Sequence, residues 1–141
     1  MAWLLLLTSQ NYFKMRNLFL GLLIVLSTSL FCLPLPSSIV NALKSGNASE
    51  LAKYMESSID LSIPENEGIF SKAQSELILK TFFTKHHPNQ FKVMNNGDSK
   101  NNTHYSIGTL DTSRGQFRVY ILYKEVNNTV TILELRIESD D

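Results

Sequence analysis

The chain carries one cysteine, Cys32, in 141 residues, and none after it. An internal disulfide is excluded, so a domain downstream of residue 36 must be held by its apolar core. Neither sign of charge is in excess, with 13 Lys plus Arg against 13 Asp plus Glu. Only Lys14 and Arg16 of the basic residues precede Ser37, so the remainder is slightly acidic. It lacks the basic patch that nucleic acid requires and the polybasic run that anionic membranes attract. Internal repeats and low-complexity tracts are absent. So is any nucleotide, metal or catalytic motif, and the expected cofactor set is therefore empty.

What is present begins with Met15–Leu33, MRNLFLGLLIVLSTSLFCL. A basic start followed by an apolar core reads as a secretory signal segment. The run from Leu18 to Leu33 contains Ser27, Thr28 and Ser29 and ends at Pro34, so it falls short of the ~20 apolar residues of a spanning helix. Met1–Lys14 reads as an upstream start, with Met15 the initiator. The expected organisation is a signal segment over 1–36 and one domain over 37–141. The expected location is outside the cytosol, periplasmic or secreted. Lipid anchoring through Cys32 is the lesser alternative, because bulky Phe31 stands where lipoprotein processing wants a small residue.

Downstream, Pro36-Ser37-Ser38 reads as a helix entry, with Ile39, Val40 and Leu43 on one face and Gly46 as the stop. Asn47 with Glu50 opens a second short helix whose stripe is Leu51, Tyr54 and Met55. Ile59, Leu61 and Ile63 alternate with polar residues as a strand that Pro64 ends, and Gly68–Phe70 returns beside it. Ser71 to His87 is a third helix, with Ser71 and Gln74 as a capping box. Ala73, Leu77, Ile78, Thr81 and Phe82 form its apolar stripe, and His86 and His87 sit at its negative end. Four strands follow, the first from Phe91, with Asn95–Asn102 as a polar loop. Tyr105, Ile107 and Thr109 alternate with His104, Ser106 and Gly108. Phe117, Val119 and Ile121 alternate with Arg118 and Tyr120. Asn127-Asn128 makes a tight hairpin. Leu133, Leu135 and Ile137 form the last inward row, with Glu134, Arg136 and Glu138 outward. The class is α+β: about three helices from the N-terminal half packed on a curved antiparallel sheet.

The stretches IVNALKSGNASELAKYMESSIDLSIPENEGIFSKAQSELILKTFF and GQFRVYILYKEVNNTVTILELRIE resemble an uncharacterised family of exported bacterial proteins, domain-of-unknown-function family 4783. That family is similar to the nuclear-transport-factor-2-like (NTF2-like), cystatin-like superfold. The resemblance implies a cone, with helices in the hollow of a bent sheet. It implies no activity, since one superfold hosts many functions.

Two sets of residues are candidates for function. Tyr54, Phe83 and Tyr105 are placed to line an apolar pocket between helices and sheet, unless they fill the core. His104, Arg118, Tyr120, Glu134 and Arg136 are placed on the outward sheet face as an interaction surface, against the plainer reading of a solvated face with cross-strand ion pairs. Asp60 is the carboxylate that a pocket enzyme of ketosteroid-isomerase or dehydratase type would use, and alternation turns it to solvent. His86 and His87 point about 100° apart on a helix and do not converge on a metal. Three Asn-X-Ser/Thr triplets, at Asn47, Asn101 and Asn127, read as capping and turn asparagines. The expected function is a non-catalytic binding or interaction module of the cell envelope; the alternative is the small pocket enzyme. Expected partners are an envelope protein, a peptide, a small apolar ligand, or a second copy meeting the sheet face.

Overall fold

A computed structural model describes residues 34–140. The expected signal segment and Cys32 lie outside the described residues, save Pro34–Pro36 of the former. The elements run α1 (Ser37–Ser45), α2 (Ala48–Ala52), β1 (Met55–Ile63), β2 (Asn66–Ser71), α3 (Lys72–Lys85), β3 (Pro88–Asp98), β4 (Thr103–Thr112), β5 (Gly115–Val126) and β6 (Thr129–Ser139). Among the described residues no helix is long and apolar enough to cross a membrane.

Local chemistry sets the helix ends. Gly46 closes α1 with φ 66°, and a Cβ there would stand 3.0 Å from Pro88 Cδ and 3.3 Å from Phe83 Cβ. Glycine is thus required twice, for its dihedral and for close approach. The Asn47 side chain caps α2 by accepting from the Glu50 N–H at 3.0 Å. Ser71 and Gln74 form the expected capping box, with the Gln74 N–H donating to Ser71 Oγ at 3.2 Å and the Ser71 N–H donating to Gln74 Oε1 at 3.1 Å.

The sheet order is β2-β1-β6-β5-β4-β3. It is not wholly antiparallel: β1 and β6 run parallel. The chain leaves the β1–β2 hairpin through α3 and enters a four-strand meander, whose last strand returns beside β1 in the same direction.

The structure departs from the periodic reading at several places. The stripe of α3 that faces the core is Ser75, Leu79, Phe82 and Phe83, whereas Leu77 is 65% exposed and Ala73 and Thr81 face solvent. Met55 belongs to β1 rather than to the second helix. Asn95–Asp98 extend β3, so the turn is shorter than expected and is carried by Asn101 and Asn102 at positive φ. Finally, Leu122 pairs with Glu134 but Tyr123 with Ile132, which makes Leu133 an extra residue in β6. This bulge changes the parity of the strand. The inward row is therefore Ile132, Leu135 and Ile137, while Leu133 is only half-buried. The Asn127-Asn128 hairpin forms as expected, with φ 51° and 61°.

One core joins these elements. Ile39 and Leu43 of α1, Leu51 of α2 and Leu79, Phe82 and Phe83 of α3 pack with Ile59, Leu61, Leu110, Val119, Ile121, Tyr123, Ile132 and Leu135 of the sheet. The helices cover one face of the sheet. The other face carries none of them.

Candidate functional site

Registry between the strands lays out this open face in rows. One row runs Ile69, Asp60, Glu134, Leu122, Tyr105, Gly97 from β2 to β3. The next runs Glu67, Ser62, Arg136, Tyr120, Ile107, Asn95. A third runs Glu138, Arg118, Thr109, Lys92 from β6 to β3. Acidic groups collect on the β2–β1–β6 side, around Arg136. The opposite side has Arg118 and Lys92 with a half-buried apolar strip of Tyr105, Ile107, Tyr120 and Leu122.

The centre of the face is a depression of about 260 Å³ lined by Ile107, Arg118, Tyr120, Glu134, Arg136 and Glu138. Tyr120 is its hub. Its ring stacks with Tyr105 at 6.2 Å between centroids and 18° between planes. The Arg136 guanidinium lies 5.9 Å from the Tyr120 centroid and is ion-paired with Glu134. A cation held over an aromatic face gains from the ring quadrupole. Partial burial, then the Glu134 charge, push the Tyr120 hydroxyl above its ordinary pKa, so it stays a neutral donor. Glu134 beside Arg136 raises the pKa of the guanidinium. Arg118 Nη2 donates to Asp140 Oδ1 at 3.0 Å. Tyr105 crosses directly over Gly97, where a Cβ would come 2.4 Å from the ring. That glycine is a seat for the tyrosine, not a turn residue.

Arg118, Tyr120, Glu134 and Arg136 thus meet on this face, and His104 does not. His104 and Tyr105 are exchanged relative to the sequence expectation. His104 points to the helix-covered side, where its Nδ1 lies 2.7 Å from Asp98 Oδ1 and its ring 5.6 Å from that of Tyr123. Its neighbours there are the fully buried Ser106, hydrogen-bonded to Asn96, and Gly108, which seats Phe91. Small and polar residues on the core side of β4 misled the alternation, because they make room for larger side chains from β3.

The expected pocket trio is not assembled. Phe83 is buried in the core edge-on to Phe82, Tyr54 packs half-buried against the core, and Tyr105 lies on the other side of the sheet. Asp60 is exposed on the open face, opposite Ile69 and Glu134. Ile107, two residues from Tyr105 and grouped with it by the alternation, is exchanged along with it and lines the open face. Among the described residues no group of three or more His, Cys, Asp or Glu is arranged to hold a metal.

The family profile described as a domain of unknown function, DUF4783, matches residues 36–138. The chain belongs to the DUF4783 family. A DUF4783 protein from Bacteroides ovatus superimposes with a TM-score of 0.70 at 31% identity, covering 76% of this chain and 96% of that one. A DUF4783 protein from Bacteroides uniformis gives 0.69 at 31% identity over 77% and 99% of the two chains. A domain of unknown function with a cystatin-like fold from Nostoc punctiforme gives 0.57 at 8% identity over 74% and 72%, a likeness of fold alone. No curated protein matches this DUF4783 chain. The architecture is that of the NTF2-like, cystatin-like α+β proteins: helices packed on a curved six-strand sheet.

Proposed function

We propose that this DUF4783 domain is an exported, non-catalytic interaction module that associates with a second copy through its open sheet face. The observation that carries the reading is the composition of that face. An apolar strip with stacked tyrosines lies on β4 and β5, with Arg118 beside it and Arg136 and carboxylates on the β6–β1–β2 side, and tyrosine and arginine are enriched in protein interfaces. A two-fold interface between identical chains must be self-complementary. A two-fold axis along the strands between β5 and β6 lays the acidic side of one copy on the basic side of the other. Residues of one row then meet: Glu138 faces Arg118 of the second copy, and Arg136 faces Tyr120. Six strands ~4.8 Å apart and about 30 Å long give a face of roughly 870 Å², close to the ~800 Å² per partner of a standard interface. The exposure of Asp60 favours a non-catalytic role, because it takes away the one carboxylate the enzyme reading relied on.

Sedimentation of Arg118→Glu, Glu138→Arg and the double swap tests this association. The single variants place like charges in contact and sediment as monomers; the double variant restores the dimer. A wild-type monomer at high concentration, or single swaps that remain dimeric, refutes the interface. Export is tested separately by mass spectrometry of the mature N-terminus, which is expected between Ser27 and Ser38.

A further inference from the structure

His86 stands at the C-cap of α3, where its N–H donates to the Phe82 carbonyl at 2.8 Å. Its ring is wedged between two aromatic rings. It stacks on Phe82 at 4.8 Å and 26°, and meets Phe117 of β5 edge-on at 5.0 Å and 77°. Nδ1 is buried and has no hydrogen-bond partner. A neutral imidazole can leave this nitrogen as a bare acceptor, whereas an imidazolium carries a proton on it that needs an acceptor.

The charged groups around the ring do not supply one. Lys85 of α3 and Arg114 of the β4–β5 turn are cations. Glu65 of the β1–β2 turn is the acid on this side, and it is 3.2 Å from Lys85 Nζ. Beside the ring is a cavity of about 50 Å³ between α3 and the β1–β2 turn, with Ile63, Pro64 and Ile78 in its wall. The segment that follows is tied to the β4–β5 turn. The Ser113 N–H donates to the His87 carbonyl at 2.9 Å, and the His87 N–H donates to Ser113 Oγ at 3.2 Å.

We propose that His86 is an acid-sensitive latch. Neutral, its ring clamps the end of α3 between Phe82 and Phe117. Protonated, it leaves this slot, and the end of α3 loosens together with the turn bonded to His87. Burial first, then Arg114 and Lys85, hold the folded-state pKa of His86 below its ordinary value. The stabilisation is therefore complete above the unfolded-state value of ~6.5 and is lost as the pH falls from there towards the lower folded-state value.

Amide hydrogen exchange on the full chain, corrected for intrinsic rates, is the test, comparing pH 7 with pH 5. The amides of Phe83–His87 and Ser113 in the wild type should lose protection on acidification, on the order of tenfold for each unit separating the two pKa values. His86→Phe and His86→Gln cannot be protonated there and should show no such local loss; the second variant serves if the first does not fold. Equal acid sensitivity in both variants, or a His86 side chain that titrates at or above its ordinary value by NMR, overturns the latch.

Discussion

Replacing Ile132 and Leu133 one at a time with alanine separates the bulged register of β6 from the regular one. With regular alternation, Leu133, Leu135 and Ile137 face inward, and truncating Leu133 costs a full core side chain. In the bulged register Ile132 is wholly buried between Tyr123 and Met55, and Leu133 is the half-buried extra residue. Truncating a buried isoleucine costs ~2–5 kcal/mol, the lost transfer free energy plus the cavity left in a packed core. Leu133 gives up about half the burial of a core leucine and can relax towards solvent, so its truncation costs about 1 kcal/mol. The difference is measurable, because a domain of this size shifts its melting temperature by ~4 °C or more per kcal/mol. Ile132→Ala should therefore melt ~10–20 °C below the wild type, and Leu133→Ala only a few degrees below. Both are read by circular dichroism at one fixed protein concentration, because self-association adds to apparent stability. An aspartate scan sharpens the contrast: Ile132→Asp buries an unpaired charge and should not fold, while Leu133→Asp should. If Leu133→Ala is as costly as Ile132→Ala, or costlier, the bulge is misplaced, while Glu134, Arg136 and Glu138 keep the open face in either register.

Two further substitutions probe close packing and capping. Gly108→Ala puts a Cβ 2.6 Å from Phe91 Cζ and 2.8 Å from the Lys92 carbonyl oxygen, and because part of this obstruction is backbone the cost should be ~1–3 kcal/mol, read as a lowered denaturation midpoint at unchanged slope. Ser71→Ala removes the acceptor of the Gln74 N–H in the α3 capping box and should cost about 1 kcal/mol in the same assay, with Ser71→Asp recovering most of it.

The elements whose signals are local were legible in the sequence. Asn47, Ser71 with Gln74, Gly46 and Asn127-Asn128 each act within four residues, and all appear where their chemistry puts them. What went unseen was set by contacts distant along the chain. The Leu133 bulge exists because β6 pairs with β5 and β1 at once. The inward stripe of α3 is chosen by Phe117, α2 and the β1–β2 hairpin it packs against, not by the largest apolar count along its own turns. In the candidate site, Arg118, Tyr120, Glu134 and Arg136 were assigned correctly to one face because β5 and this part of β6 alternate cleanly. His104 and Tyr105 were exchanged because β4 places its smaller residues inward, an arrangement intelligible only beside Phe91 and Asn96 of β3.

That inversion in β4 bears on function. A sheet covered on one side ordinarily shows apolar residues to the core and polar residues to water. β4 departs from this, with Ser106 and Gly108 inward and Tyr105 and Ile107 outward. β5 adds Tyr120 and Leu122 to the same outer strip. The core does not require large side chains on the outer side of the sheet, and a monomer in water gains little from displaying them. They are useful if a partner removes them from solvent, when each aromatic contributes large contact area at a small entropy cost. Arg118→Glu changes charge beside the strip and leaves the strip intact, whereas Tyr120→Ala removes the hub and leaves the charges intact. If the strip supplies affinity and the charges supply register, Tyr120→Ala should weaken association at every salt concentration, and the effect of Arg118→Glu should shrink as salt rises. Equal salt dependence for the two variants would mean that the tyrosines are ordinary surface residues and that the face is held by charge alone.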